Sequence, residues 1–112
     1  MTRYPFLPLS AIDPWLPLVA ELGVSRVARS ARGFLSAYRR AGGEPSGLSP
    51  EWRAEREGFC SRFLAMIDDR QDGALWMPVA LEAGRLLVQP TRSHLALICW
   101  AYSPDPAVRR VP

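Results

Sequence analysis

The chain has 112 residues, 48% of them hydrophobic and 22% charged, with four Trp, four Phe and three Tyr. That is the size and composition of one globular domain, and it excludes a disordered chain or a second independent core. The net charge of +3 comes from arginine alone, because the sequence has no lysine, so every cationic side chain is a guanidinium fork suited to phosphate or carboxylate.

Residues 1–9 set Pro5 and Pro8 among Tyr4, Phe6, Leu7 and Leu9, which predicts an extended arm lying on the domain. The arm lacks the uninterrupted apolar run of about 7–15 residues found in an export signal, and no stretch reaches the ~18 needed to cross a bilayer. A cytoplasmic protein is the expectation. Ser10 or Asp13 offers an N-cap and Pro14 suits a first helical turn. The helix that follows runs to Leu22, buries Trp15, Leu18, Val19 and Leu22, and ends at Gly23.

Ser25 caps a second helix to about Arg40, whose apolar positions Val27, Ala31, Phe34, Leu35 and Tyr38 have helical spacing. Gly33 inside it implies close packing or a kink, and Gly42 and Gly43 stop it. Residues 41–48 read as a loop. Ser49, Pro50 and Glu51 then open a third helix to about Asp68, with Trp52, Phe59, Cys60, Phe63, Met66 and Ile67 inward and Glu51, Arg53, Glu55, Glu57 and Arg62 outward. Asp68 to Gly73 is a polar exit.

Residues 74–89 admit two readings. Gly84 can turn a hairpin whose first strand Pro78 confines to a sheet edge, or residues 79–88 can form a short helix; the hairpin is preferred. Thr91 caps a last helix with an apolar body from Leu95 to Tyr102, apolar nearly all round and so the expected central post of the core. Residues 103–112 form a Pro/Arg tail. The predicted fold is mainly α: a single domain over residues 1–112, a compact bundle of about four helices with room for a small β-hairpin near 74–89.

Motifs for chemistry are sparse. There is no P-loop, no G-x-S-x-G elbow and no CxxC, and the single histidine, His94, does not support a structural zinc site. Cys60 and Cys99 read as small core hydrophobes. A Cys60–His94 pair would need tertiary proximity, and His94 reads instead as a first-turn residue with an ordinary hydrogen bond. Asp68, Asp69 and Asp72 lack the closing glutamate of a calcium loop, since position 79 is Val. No catalytic constellation, metal site or cofactor is expected.

Charge is more informative. Residues 22–43 hold five arginines and no acid, leaving nine arginines against eleven acids elsewhere, so the whole surplus belongs to this element. At helical pitch Arg26, Arg29, Arg32, Arg39 and Arg40 share an arc of about 140° beside the apolar stripe. Such a face suits nucleic acid, another polyanion or an acidic protein, unless Glu51, Glu55, Glu57 or Asp68 pairs with it. Val19 to Ser25 resembles the turn of a helix-turn-helix, which would make 25–40 a recognition helix in the major groove. It departs from that pattern at Val19, where a small residue is usual, at Arg29, where an apolar one is usual, and at Pro14 and Pro17 in the first helix. The expected function is a small non-catalytic binding or regulatory module using the arginine face. The alternative is a protein-interaction module or accessory subunit, suggested by Tyr4, Phe6, Trp15, Trp100 and Tyr102 near the chain ends.

Overall fold

The computed structural model describes residues 4–21, 25–69 and 75–105, the side chains of 25–30 and 66–69 excepted. Among these residues the fold is mainly helical, with four helical units and one two-stranded antiparallel hairpin. Arm residues 5–8 are extended and pinned: Leu7 is fully buried, its N–H donates to the Ala101 carbonyl at 2.7 Å, and its own carbonyl accepts from the Tyr38 hydroxyl at 2.9 Å.

The first helical unit is broken where the sequence predicts a single helix. It comprises α1 (Leu9–Ile12), a 3-10 turn at Asp13–Trp15 and α2 (Leu16–Glu21). Pro14 and Pro17 lack the N–H that a helix interior requires and crowd the preceding turn, so the chain tightens instead of running straight. Val19 is buried and Trp15 and Leu18 are half-buried, while Leu22, Gly23 and the centre of the helix-turn-helix-like string lie outside the described residues.

Helix α3 (Ser25–Arg40) buries Ala31, Phe34 and Tyr38 as its spacing predicts. Gly33 is a packing site: a Cβ there would stand 2.9 Å from the Trp52 ring, closer than carbon atoms tolerate. Gly42 and Gly43, at φ 67° and 74°, end the helix in left-handed backbone. Helix α4 (Pro50–Asp69) begins where Ser49 Oγ accepts the Trp52 N–H at 3.2 Å. Helix α5 (Arg92–Cys99) begins where the Thr91 hydroxyl accepts the His94 N–H at 3.2 Å. At its far end Ala101 turns left-handed at φ 59°; its N–H reaches the Ile98 carbonyl at 2.8 Å and that of Tyr102 reaches Leu97 at 3.1 Å. This paired return satisfies the last carbonyls of the helix. Every side chain from His94 to Ala101 is buried, so α5 is the central post. Trp100 closes the core by stacking on Phe34 and Phe59, at 5.2 and 5.0 Å between ring centres.

The segment with two readings is a hairpin. Strand β1 (Trp76–Glu82) pairs antiparallel with β2 (Arg85–Pro90) through a two-residue turn, Ala83 and Gly84, at φ 51° and 75°. Two positive φ values make the turn whose twist matches the strands. The pairing slips between Pro78 and Ala80, leaving Val79 as a bulge. Only the base of the hairpin is covered: Pro90 is buried, and Trp76 packs edge-on against Trp15 and His94. Beyond it Met77, Val79, Leu81, Leu86, Leu87 and Val88 are all exposed, Leu81 at 72% and Leu86 at 62%. No helix among the described residues is long and apolar enough to cross a membrane.

Candidate anion-binding face and its groove

Helix α3 carries the arginine arc without a break from Ser25 to Arg40. The side chains of Arg26 and Arg29 lie outside the described residues; Arg32, Arg39 and Arg40 are exposed. Among the described residues, Arg39 is the one engaged cation of the three. Its guanidinium forks onto the Asp13 carboxylate, Nη2 to Oδ1 and Nη1 to Oδ2, the latter at 3.4 Å. The hydrogen bond to Asp13 raises the Arg39 pKa above its ordinary value. Both partners are nearly half exposed, so the pair contributes at most about 1 kcal/mol and an incoming anion can compete for it. The acids of α4 weighed as partners for this face, Glu51, Glu55 and Glu57, form no ion pair with it among the described residues; Asp13 takes that part instead.

Arg32, Leu35, Ser36 and Arg39, spaced one and two helical turns apart, form one wall of a cleft of about 530 Å³. Leu16, Val19 and Ala20 of α2 form the other wall, and Cys99 of α5 lies between them. The cleft is therefore apolar inside with two guanidinium groups and a hydroxyl along one side, an arrangement common in sites for molecules with an apolar body and an anionic group.

Cys60 and the histidine sit apart from this face, and Cys99 meets the cleft only as a buried residue between its walls. Cys60 and Cys99 are free and buried, and burial pushes both thiols up to about 11, so neither offers thiolate near neutral pH. Both ring nitrogens of His94 are occupied away from the cysteines. Nδ1 lies 2.8 Å from the Leu75 carbonyl, which can only accept, so that nitrogen holds the proton of the neutral ring. Nε2 then accepts from the Ser103 hydroxyl at 2.7 Å, while Ser103 Oγ accepts the Asp105 N–H at 3.1 Å. Burial lowers the His94 pKa, partly opposed by the Leu75 carbonyl and Asp105. His94 and Ser103 have no exposed surface, so the serine–histidine contact has no route for a substrate in this structure; it fastens residues 75 and 103–105 to α5. Among the described residues, no three of His, Cys, Asp and Glu gather as metal ligands. Asp68 and Asp69 side chains and Asp72, considered above as a cation loop, lie outside those residues.

Two features are not anticipated by the sequence reading. Arg56 of α4 is 2% exposed and lies 3.6 Å above the Phe6 ring centre. Its Nε donates to the Trp100 carbonyl at 2.7 Å and Nη1 to Tyr4 at 2.7 Å. Nη2 donates to Pro5 at 3.2 Å and to Ala101 at 2.8 Å. Burial pulls its pKa down, but four carbonyls and the negative end of α5 sustain the charge. Spacing could have revealed it, because Trp52, Arg56, Phe59, Cys60 and Phe63 lie on one helical face. The second feature concerns the aromatic residues near the chain ends, expected to mark a partner surface. Tyr4 and Trp100 are buried and Phe6, Trp15 and Tyr102 half-buried, so the exposed apolar surface belongs to the hairpin instead.

No protein-family model matches the chain, and neither a curated protein nor a solved structure is significantly similar to it.

Proposed function

We propose that this chain is a small binding module whose α3 arginine face holds a polyanion, with nucleic acid the first partner to test. The observation that carries this reading is the state of α3's outer side: Arg32 and Arg40 are exposed with no partner among the described residues, no acid interrupts the helix, and Arg39 is engaged only by one solvent-exposed carboxylate. Guanidinium groups in that state attract phosphates and release counterions on binding. The cleft beside Arg32 and Arg39 adds an apolar floor on which a sugar or base can lie while its phosphate meets the rim.

Fluorescence anisotropy of labelled single- and double-stranded oligonucleotides across a salt series tests it. Binding should weaken steeply with salt. The Arg29→Gln/Arg32→Gln/Arg40→Gln variant should bind more weakly on every sequence, with the slope of log K against log salt reduced by roughly one for each phosphate that no longer meets an arginine. Failure to bind at low salt, or binding that ignores both salt and the three substitutions, overturns the reading.

A further inference from the structure

The hairpin has two main-chain edges, and they differ. Glu82 and Arg85 flank a two-residue turn, so they exchange both main-chain hydrogen bonds, and successive pairs alternate between bonded and unbonded from there. The alternation holds at the base, where the Thr91 N–H donates to the Leu75 carbonyl at 3.1 Å. The main-chain groups of Trp76, Pro78 and Leu81 on β1, and of Leu86, Val88 and Pro90 on β2, therefore point away from the hairpin. On β1 this edge is blunted, because Pro78 has no N–H and the bulge at Val79 breaks the spacing. On β2, among the described residues, the edge is open as far as Pro90, which has no N–H: Leu86 and Val88 present N–H and C=O groups at even spacing.

The side chains around this edge are Leu86 and Val88 on one face, with Leu81 beside them, and Leu87 on the other, all exposed. Two strands alone are marginal in water and gain from a third. A lipid surface fits poorly, since Glu82 and Arg85 stand opposite each other at the tip that would enter first.

We propose that the free edge of β2 pairs with β2 of a second copy of this chain about a two-fold axis, making a four-stranded antiparallel sheet. Outward-facing residues must meet outward-facing residues, which leaves few registers. Setting Leu86 against the partner's Val88, with Leu87 facing the partner's Leu87 on the axis, satisfies both outward N–H groups and forms about four main-chain hydrogen bonds. One residue pair further toward the base, Pro90 would face Leu86 without a donor; one pair further toward the tip, Val88 would face the turn. In the selected register Arg85 falls opposite the partner's Gln89, so like charges do not meet. This pairing does not depend on the α3 reading, whose arginines lie on another element.

Two variants of the full chain test it. Val88→Pro removes only an outward N–H, at a position equivalent to those Pro78 and Pro90 already hold. Leu87→Cys places two thiols across the axis in an unbonded pair, where Cβ atoms approach about 4.5–5.5 Å. Sedimentation at about 0.2 mM protein, where a contact of micromolar affinity is populated, should give a dimer for the unaltered chain and a monomer for Val88→Pro. Oxidised glutathione should cross-link Leu87→Cys to a covalent dimer but leave Gln89→Cys, which faces Arg85 of the other copy, largely uncross-linked. An unaltered chain that stays monomeric overturns the proposal. So does a dimer that survives Val88→Pro, or one in which Leu87→Cys fails to cross-link while Gln89→Cys succeeds.

Discussion

Helix α5 and the β1–β2 hairpin are neighbours in sequence, joined through Thr91, and both are dominated by Leu, Val, Ile and Ala. Their surroundings are opposite. In α5 every side chain from His94 to Cys99 is buried; Leu95, Ile98 and Cys99 pack with Ile12, Val19, Ala31, Phe34 and Tyr38, and Leu97 packs with Tyr4 and Cys60. The hairpin touches the body at Trp76 and Pro90, and its remaining large apolar side chains face outward. Composition sets how much surface would gain from cover; the position of the neighbouring helices decides which part receives it. The helix fills the space between three other helical units, whereas the hairpin carries its apolar residues beyond their reach.

Breaking the anchor of the buried region should have the largest effect. Arg56→Ala removes the donor to four carbonyls at the end of α5 and in the arm, and urea unfolding should show a loss of about 3–5 kcal/mol, the range for stranding buried polar partners. A loss below about 1 kcal/mol would mean that water replaces the guanidinium readily. The same change of side chain made on both sides of the comparison comes next. Leu95→Ala, in the core, should cost about 2–5 kcal/mol, and Leu81→Ala, on the hairpin, less than about 0.5 kcal/mol when measured on the monomer. Similar costs at both positions would show that Leu81 is covered in solution.

The smallest effect sharpens the boundary between the regions, where His94 joins α5 to Leu75 and Ser103. Burial lowers the His94 pKa in the fold, so below 6.5, the ordinary imidazole value, the unfolded chain takes up a proton that the folded chain resists. Stability should be fully present above 6.5 and fall as the pH drops through the window below it. His94→Gln should flatten that part of the urea-midpoint profile; an unchanged profile would assign the acid sensitivity to other groups.

Most of the helical frame is legible in the sequence, because its boundaries depend on local chemistry. Ser49 and Thr91 cap from their own side chains, Gly42 and Gly43 supply left-handed backbone, and Gly84 turns the hairpin. The exposure of Arg32, Arg39 and Arg40 on α3 is likewise legible from their spacing. The break at Asp13–Trp15 is marked by Pro14 and Pro17, but the apolar spacing around them suggests an unbroken helix. What sequence does not carry is long-range pairing. Asp13 meets Arg39 across 26 residues, and Arg56 meets carbonyls that have no side-chain signature at all. The exposure of the hairpin is hidden for a related reason: an apolar strand reads alike whether the fold covers it or not.

The bonds of Arg56 also bear on the order in which the protein can assemble as it is made. The guanidinium joins the arm at Tyr4 and Pro5 to the α5 terminus at Trp100 and Ala101, and Leu7 donates to that same Ala101 carbonyl. A ribosome must therefore deliver residue 101 before the arm has its final partner, and until then the core lacks α5, its central strut. Nascent α3 and α4 then wait with their apolar faces uncovered, which favours late, nearly all-at-once closure of the core.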